Sequence, residues 1–264
     1  AVGALGLITL AKFGGYTGLS IAAFVTSFAL LLEYARMALD GERYKTARYY
    51  FIVVGLIVFT ISIFKNDMLL HSIVLSVLLF FIHFLLLARD ESVRLEELTN
   101  KAGLSVMGIL YAGACPVYIC LLAKLSPHLE WFIFTFVVVF TGDTAAYFVG
   151  RQFGRTRLFK RISPKKSIEG AIASLFASVA IGMTVRNFLL PQTDMFLMLS
   201  LCILTSIAAQ LGDLCESLVK RSFRTKDSGQ IMPGHGGLLD RLDGVLFGAP
   251  VVYIFAKFLI LGPT

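Results

Sequence analysis

Asp213, Glu216, Lys220, Arg221, Arg224, Lys226, Asp227, His235, Asp240, Arg241 and Asp243 crowd one short stretch of a chain that is otherwise strongly apolar. Five acids stand there against five lysines and arginines. Each charge brought near hydrocarbon must offset its own desolvation, so such a density points to chemistry. Carboxylates suit a hard divalent cation, and the adjoining Lys and Arg suit the anionic groups of a phosphorylated substrate. Ser206, Gln210, Asp213, Ser217 and Lys220 follow at spacings of four, three, four and three, which lines them along one helical face. Ser and Gln alone would make only a polar seam between packed helices. Acids at membrane depth ordinarily face a cavity and a partner, which favours function for Asp213 and Glu216. Pro233-Gly234-His235-Gly236-Gly237 cannot continue a helix and offers open backbone N–H groups to a phosphate. A plain turn between helices is the simpler reading of those glycines. Their place between the Asp213 helix and Asp240-Arg241-Leu242-Asp243 raises the functional one.

A second cluster precedes it. Asp143 and Tyr147 fall one turn apart on one helical face, and Arg151 to Lys166 then delivers seven bases. Basic loops beside apolar runs are most often topology signals. Ser163-Pro164-Lys165-Lys166-Ser167-Ile168-Glu169-Gly170 is more specific, because Pro disfavours helix just before a new one, and hydroxyls plus lysines at a helix start suit an anion. Glu33, His71 and His83 read as packing or interfacial residues.

The elements that must carry these residues follow from hydropathy. Of 264 residues, 57% are hydrophobic and 16% charged, against about 25% charged in soluble domains, and the mean hydropathy is +0.79. This is an integral membrane composition. Apolar runs near Thr17–Tyr34, Tyr49–Phe64, Leu69–Ala88, Leu104–Leu125, Trp131–Gly150, Ile168–Phe188, Met195–Val219 and Val245–Leu261 are of membrane-spanning length, and a shorter run, Ala1–Phe13, adds a ninth if its beginning is missing. The chain opens in mid-pattern without Met, which suggests a trimmed start. Alternation of the barrel kind is absent, so the expected fold is all-α, a polytopic transmembrane bundle of about nine helices. Residues 1–130 are expected to be helices with little motif content, and 131–264 the catalytic region with cytoplasmic loops 151–167 and 220–243. Cys115, Cys120, Cys202 and Cys215 lie in apolar runs and read as core residues.

Basic residues are unevenly shared. The connections holding Arg36 to Arg48, Arg89 to Lys101, Arg151 to Lys166 and Lys220 to Arg241 carry 19 of the 24 lysines and arginines, whereas the alternate connections hold Lys12, Lys65, Lys124 and Arg186. By the positive-inside rule the first set is cytoplasmic, which predicts a cytoplasmic N-terminus, an exterior Thr264 and an active site facing the nucleotide pool. Bases confined to such loops point to lipid headgroups and phosphates, not nucleic acid, despite the net charge of +7.

Ser217-Leu-Val-Lys220-Arg221, Lys226-Asp227-Ser-Gly229 and Met232-Pro233-Gly-His235-Gly236-Gly237-Leu-Leu-Asp240-Arg241-Leu-Asp243 make one long gapped pattern that resembles the phosphatidate cytidylyltransferases, or CDP-diacylglycerol synthases. Asp143-Thr-Ala-Ala-Tyr147 and Ser163-Pro-Lys-Lys166-Ser-Ile-Glu169-Gly170 resemble that family's other motifs. Met232 stands where Leu, Ile or Phe is typical, and Lys160 where Pro is usual. The resemblance implies transfer of CMP from CTP to phosphatidic acid in a cell membrane, a divalent cation such as Mg²⁺ with a second ion left open, and a homodimer. It marks Asp213 and Asp240 as metal ligands, with Asp143 and Asp243 as further ligands or orienters. Lys165, Lys166, Lys220, Arg221, Lys226 and Arg241 are assigned to the triphosphate and the lipid phosphate. Ser163, Ser167, His235 and the Gly236-Gly237 backbone are further substrate contacts. Asp227, Glu216 and Glu169 are alternatively ion-pair partners that hold those bases.

Two other activities compete. A CTP-dependent polyprenol or lipid kinase would use the same nucleotide and leave phosphate on the lipid. A secondary ion transporter also places acids in broken helices, but here the halves show no repeat and the charges crowd one face of the membrane. The DGxxAR…GxxxDxxxD pattern of CDP-alcohol phosphotransferases is absent.

Overall fold

The apolar runs fold as helices throughout. The computed structural model describes residues 2–229 and 236–257, with side chains from Thr17 onward. Its helices are α1 (Val2–Ala38), α2 (Lys45–Phe64), α3 (Leu69–Leu87), α4 (Leu95–Gly108), α5 (Cys115–Lys124), α6 (Glu130–Phe153), α7 (Ile168–Leu189), α8 (Met195–Ser222) and α9 (Leu239–Phe255), with a π-helical turn, Ile109–Ala114, joining α4 to α5. Seven spans among the described residues are long and apolar enough to cross a membrane, with α4 to α5 counted as one. The fold is therefore an all-α polytopic bundle. Leu70, Val74, Leu78, Phe81 and Leu85 of α3 stay exposed, as a lipid-facing helix requires.

Two expectations change. The opening run and Thr17–Tyr34 form one unbroken helix, so α1 is a single rod of 37 residues, about 55 Å at 1.5 Å per residue. Gly14 and Gly15 do not turn the chain, because an isolated glycine pair weakens a helix without ending it. The described helices therefore make eight rods, not nine, and Val2 lies at the end of α1 remote from the Ala38 connection, not beside it as two crossings would require. The span predicted from Leu104 begins at Leu95, since Glu96 and Glu97 in a first turn favour the helix N-terminus despite their polarity.

The one sheet among the described residues is an antiparallel hairpin between α6 and α7. β1 (Arg157–Phe159) pairs with β2 (Ser163–Ser167), Arg157 opposite Ser167 and Phe159 opposite Ser163, with an irregularity between. Ser167 ends β2 and caps α7, its Oγ accepting from the Gly170 N–H at 3.1 Å.

The four basic connections gather at one end of the bundle. Tyr44 donates to Glu97 at 2.7 Å, Arg43 to Ser92 at 3.2 Å, Lys101 to the Ala38 carbonyl at 2.7 Å and Arg221 to the Ile162 carbonyl at 3.4 Å, and the Thr225 hydroxyl reaches the Met37 sulfur at 3.8 Å across the two pairs. At the other end Lys124 reaches the Ile63 carbonyl. One apolar core runs from Leu19 to Ala256, and α5 packs directly on α9. Motif content changes near residue 130, whereas packing crosses it.

Candidate active site

The polar face of α8 meets three neighbours in succession. Gln210 donates to the Ala171 carbonyl of α7 and to Ser206, both at 3.3 Å. One turn on, Asp213 pairs with Lys166 of β2 at 2.5 Å. Glu216, buried, pairs with Lys220 on its own helix, and Lys220 reaches Asp240 of α9 at 2.5 Å. The hairpin, α8 and α9 are thus joined by alternating charges.

Close helix approach brings the acids together. A Cβ on Gly212 would lie 2.5 Å from the Asp243 carbonyl oxygen and 2.9 Å from the Phe247 Cβ, so α8 meets α9 here only because position 212 lacks a side chain. The neighbouring carboxylates of Asp213, Glu216 and Asp243 consequently offer oxygens within 4.8 Å of one another. Among the described residues, neither Glu216 oxygen has a hydrogen-bond partner, although Lys220 neutralises the group as an ion pair.

Beside this cluster opens a cleft of about 590 Å³ between α6, the hairpin, α7 and α8. Asp143, Tyr147, Arg151, Arg157, Lys165, Lys166, Ser167 and Asp213 line it. One wall is cationic and one end acidic, which is what a nucleoside triphosphate with a bound cation presents in mirror image.

The structure separates the predicted residues into three groups. Asp143, Lys165, Lys166, Ser167 and Asp213 share the cleft, and Asp243 adjoins Asp213. Asp240, expected beside Asp213 as its fellow ligand, is instead occupied. Its Oδ1 accepts from Lys220, and its Oδ2 accepts the Ser228 N–H at 3.0 Å, the Gly237 N–H at 2.8 Å and shares the Ser228 hydroxyl at 3.0 Å. Gly237 is correspondingly committed within the protein, so its N–H is not turned outward to a phosphate, and Gly236 does not line the cleft. Ser163 sits in β2 outside the cleft lining, while Lys226, Asp227 and Arg241 are exposed. Arg221 spans the Ile162 and Thr225 carbonyls at 3.4 and 3.2 Å, which ties the hairpin loop to α8. Glu169 holds the Thr156 N–H at 3.1 Å, not a basic side chain. His235 lies outside the described residues.

Glu33, expected as a packing or interfacial residue, is instead a hydrogen-bond acceptor for the start of α9. Wholly buried, it accepts the Leu238 N–H at 3.0 Å, the Leu239 N–H at 2.9 Å and the Ser228 hydroxyl at 3.3 Å. The signal was present, since Glu33 is an acid inside the run Thr17–Tyr34 and such a group needs partners. Tyr111 gave no signal. The π-turn buries it against Phe247 of α9, ring centroids 5.8 Å apart, with its hydroxyl lacking a hydrogen-bond partner among the described residues.

A model of the cytidylyltransferase family matches residues 1–259. The chain belongs to that family. A phosphatidate cytidylyltransferase of Staphylococcus haemolyticus (strain JCSC1435) is 40% identical over 153 residues, 58% of this chain and 58% of that protein. One of Brucella suis biovar 1 (strain 1330) is 42% identical over 154 residues, 58% of this chain and 57% of that protein. The matched portion thus spans less than two thirds of each relative's length.

For a cytidylyltransferase family member, the acidic triad passes a test of donor chemistry. Hard oxygen ligands, clustered without hydrogen-bond donors on Glu216 and flanked by Lys166 and Lys220, fit a divalent cation.

Proposed function

We propose that this protein transfers CMP from CTP to phosphatidic acid, giving CDP-diacylglycerol and pyrophosphate. The carrying observation is the acidic cluster of Asp213, Glu216 and Asp243 abutting a cleft lined by Arg151, Arg157, Lys165 and Lys166. In the reaction a phosphate oxygen of phosphatidate attacks the α-phosphorus of CTP. The new P–O bond forms as the bond to the bridging oxygen breaks, and the electron pair leaves with pyrophosphate. Two anions must approach, and the leaving group gathers charge, so the protein's task is neutralisation and alignment. Lys165 and Lys166 present ammonium groups along β2, and Arg151 and Arg157 present guanidinium forks across the cleft, which suit phosphate oxygens. A phosphomonoester, with a second pKa of about 6, is largely ionised at neutral pH, so no general base is required of these residues. Mg²⁺ held by Asp213, Glu216 and Asp243 would supply further charge neutralisation at the phosphates.

The four basic connections share one end of the bundle, and by the positive-inside rule that end faces the cytoplasm, where CTP is available. The start of α1 then projects on the opposite side.

Purified protein incubated with phosphatidic acid, Mg²⁺ and CTP labelled in the α- or γ-phosphate tests the reaction. The proposal requires α-label in the lipid and γ-label in pyrophosphate. Lipid carrying γ-label alone would establish the kinase reading instead.

A further inference from the structure

We propose that Glu33 of α1 is the positioning residue of the active-site loop, fixing the first turn of α9 and through it Asp240 and Asp243. The role in turnover rests on the reaction proposed above.

Glu33 is 0% exposed, and no lysine, arginine or histidine among the described residues pairs with it. An unpaired buried carboxylate is costly, and packing alone would be better served by a hydrocarbon. The surroundings supply the compensation. The first N–H groups of a helix have no intrahelical acceptor and carry its positive dipole end. Glu33 supplies both acceptors from 205 and 206 residues away, Oε1 to Leu238 and Oε2 to Leu239. α9 has no side-chain cap of its own. Glu33 is therefore its cap, provided by another helix.

The contact extends toward the chemistry. Ser228 stands between Glu33 at 3.3 Å and Asp240 at 3.0 Å, with one hydroxyl proton to share. Asp240 meets Lys220, and Lys220 meets Glu216 of the acidic cluster. The loop is also built to fit the carboxylate. A Cβ on Gly229 would lie 2.5 Å from the Glu33 Oε1, and one on Gly237 2.7 Å from its Oε2. The spacing of glycines around the Asp227-to-Asp240 motif thus reflects a residue almost two hundred positions upstream.

Glu33→Gln is the test, because it keeps size and removes one acceptor. The amide NH₂ must then face the N–H of Leu238 or Leu239. Leu30→Ala, one turn earlier on α1 and equally buried, is the control for mere helix destabilisation. Amide exchange by mass spectrometry on nanodisc-embedded protein should show peptides covering Ser228 and Leu238–Asp243 exchanging faster in the Glu33→Gln variant while α2 and α6 stay protected. Its kcat should fall on the order of a hundredfold, as a displacement of about 1 Å at a reacting centre does. The KM for CTP should change far less, since the cleft lysines are untouched. Leu30→Ala should lower thermal stability with wild-type loop exchange and kcat at permissive temperature. The proposal fails if Glu33→Gln leaves loop exchange unchanged, or if its exchange and turnover match those of Leu30→Ala. Wild-type protein that forms no CDP-lipid would sink the reaction reading, and loop exchange would still decide the positioning role.

Discussion

Asparagine at position 240 keeps the shape of Asp240 and removes its charge, and the contacts of that side chain set the expected cost. Asp240 lies ahead of the apolar run that begins at Val245. Burial pushes its carboxyl up, but the bond from Lys220 and those from the N–H groups of Gly237 and Ser228 outweigh burial and hold it down at about 2, against an ordinary 3.8. At about 1.4 kcal/mol per unit, that difference sets an upper bound of roughly 2 kcal/mol on its contribution to the folded state, because solvent still screens the carboxylate and the neighbouring Glu216 carboxyl opposes it. The sign follows from the lowered value. The contribution is complete above the unfolded pKa of about 4 and is lost as pH falls toward 2, so a measurement at pH 7 reads all of it. A second route gives a similar figure. Removing one partner of a buried ion pair costs about 3–5 kcal/mol, and Lys220 keeps Glu216, which moves the cost to the lower bound. About 2–3 kcal/mol corresponds to a Tm lowered by roughly 5–10 °C for a chain of this size. The assay is thermal unfolding in detergent beside a Mg²⁺ titration of turnover. With Asp240 as loop anchor, Asp240→Asn should unfold earlier, turn over more slowly, and keep the wild-type Mg²⁺ midpoint. A variant with wild-type Tm and a greatly raised Mg²⁺ requirement would refute this and make Asp240 a metal ligand.

Asp243→Asn should behave in the opposite way. Losing one of three mutually repelling carboxylates should leave the metal-free protein at least as stable, while the Mg²⁺ midpoint rises and turnover falls by orders of magnitude, measured by the same pair of assays. Gly212→Ala should cost about 1–3 kcal/mol by overpacking, and it should reduce turnover even at saturating Mg²⁺, because its new methyl forces α8 from the Asp243 carbonyl. Arg221→Ala should raise the KM for CTP with little change in Tm, since it unties the exposed hairpin loop from α8, and membrane insertion measured by protease protection should be normal.

Which residues gather into the candidate site was legible because charge is rare in an apolar chain. Asp213, Ser217 and Lys220 declared one helical face by spacing, and the basic connections declared that they share one end, which the contacts of residues 38, 43 and 44 with 92, 97 and 101, of 162 with 221 and of 37 with 225 bear out. Helix positions were legible for the same reason, hydropathy being a property of sequence alone. The continuity of α1 through Gly14 and Gly15 was not, because an interrupted hydropathy pattern does not say whether the backbone bends. Nor could sequence rank the acids. Asp240 and Asp243 lie three residues apart on α9, yet one faces the loop donors of Ser228 and Gly237 and the other meets Asp213 and Glu216 across the gap left at Gly212. That division depends on how closely two helices approach and on which N–H groups already have an acceptor. Glu33 shows the same limit over the longest distance: its sequence neighbours are apolar, and its partners become neighbours only when α1 packs against the start of α9. A residue's type fixes what it can bond to, whereas tertiary packing fixes what it has left to offer a substrate.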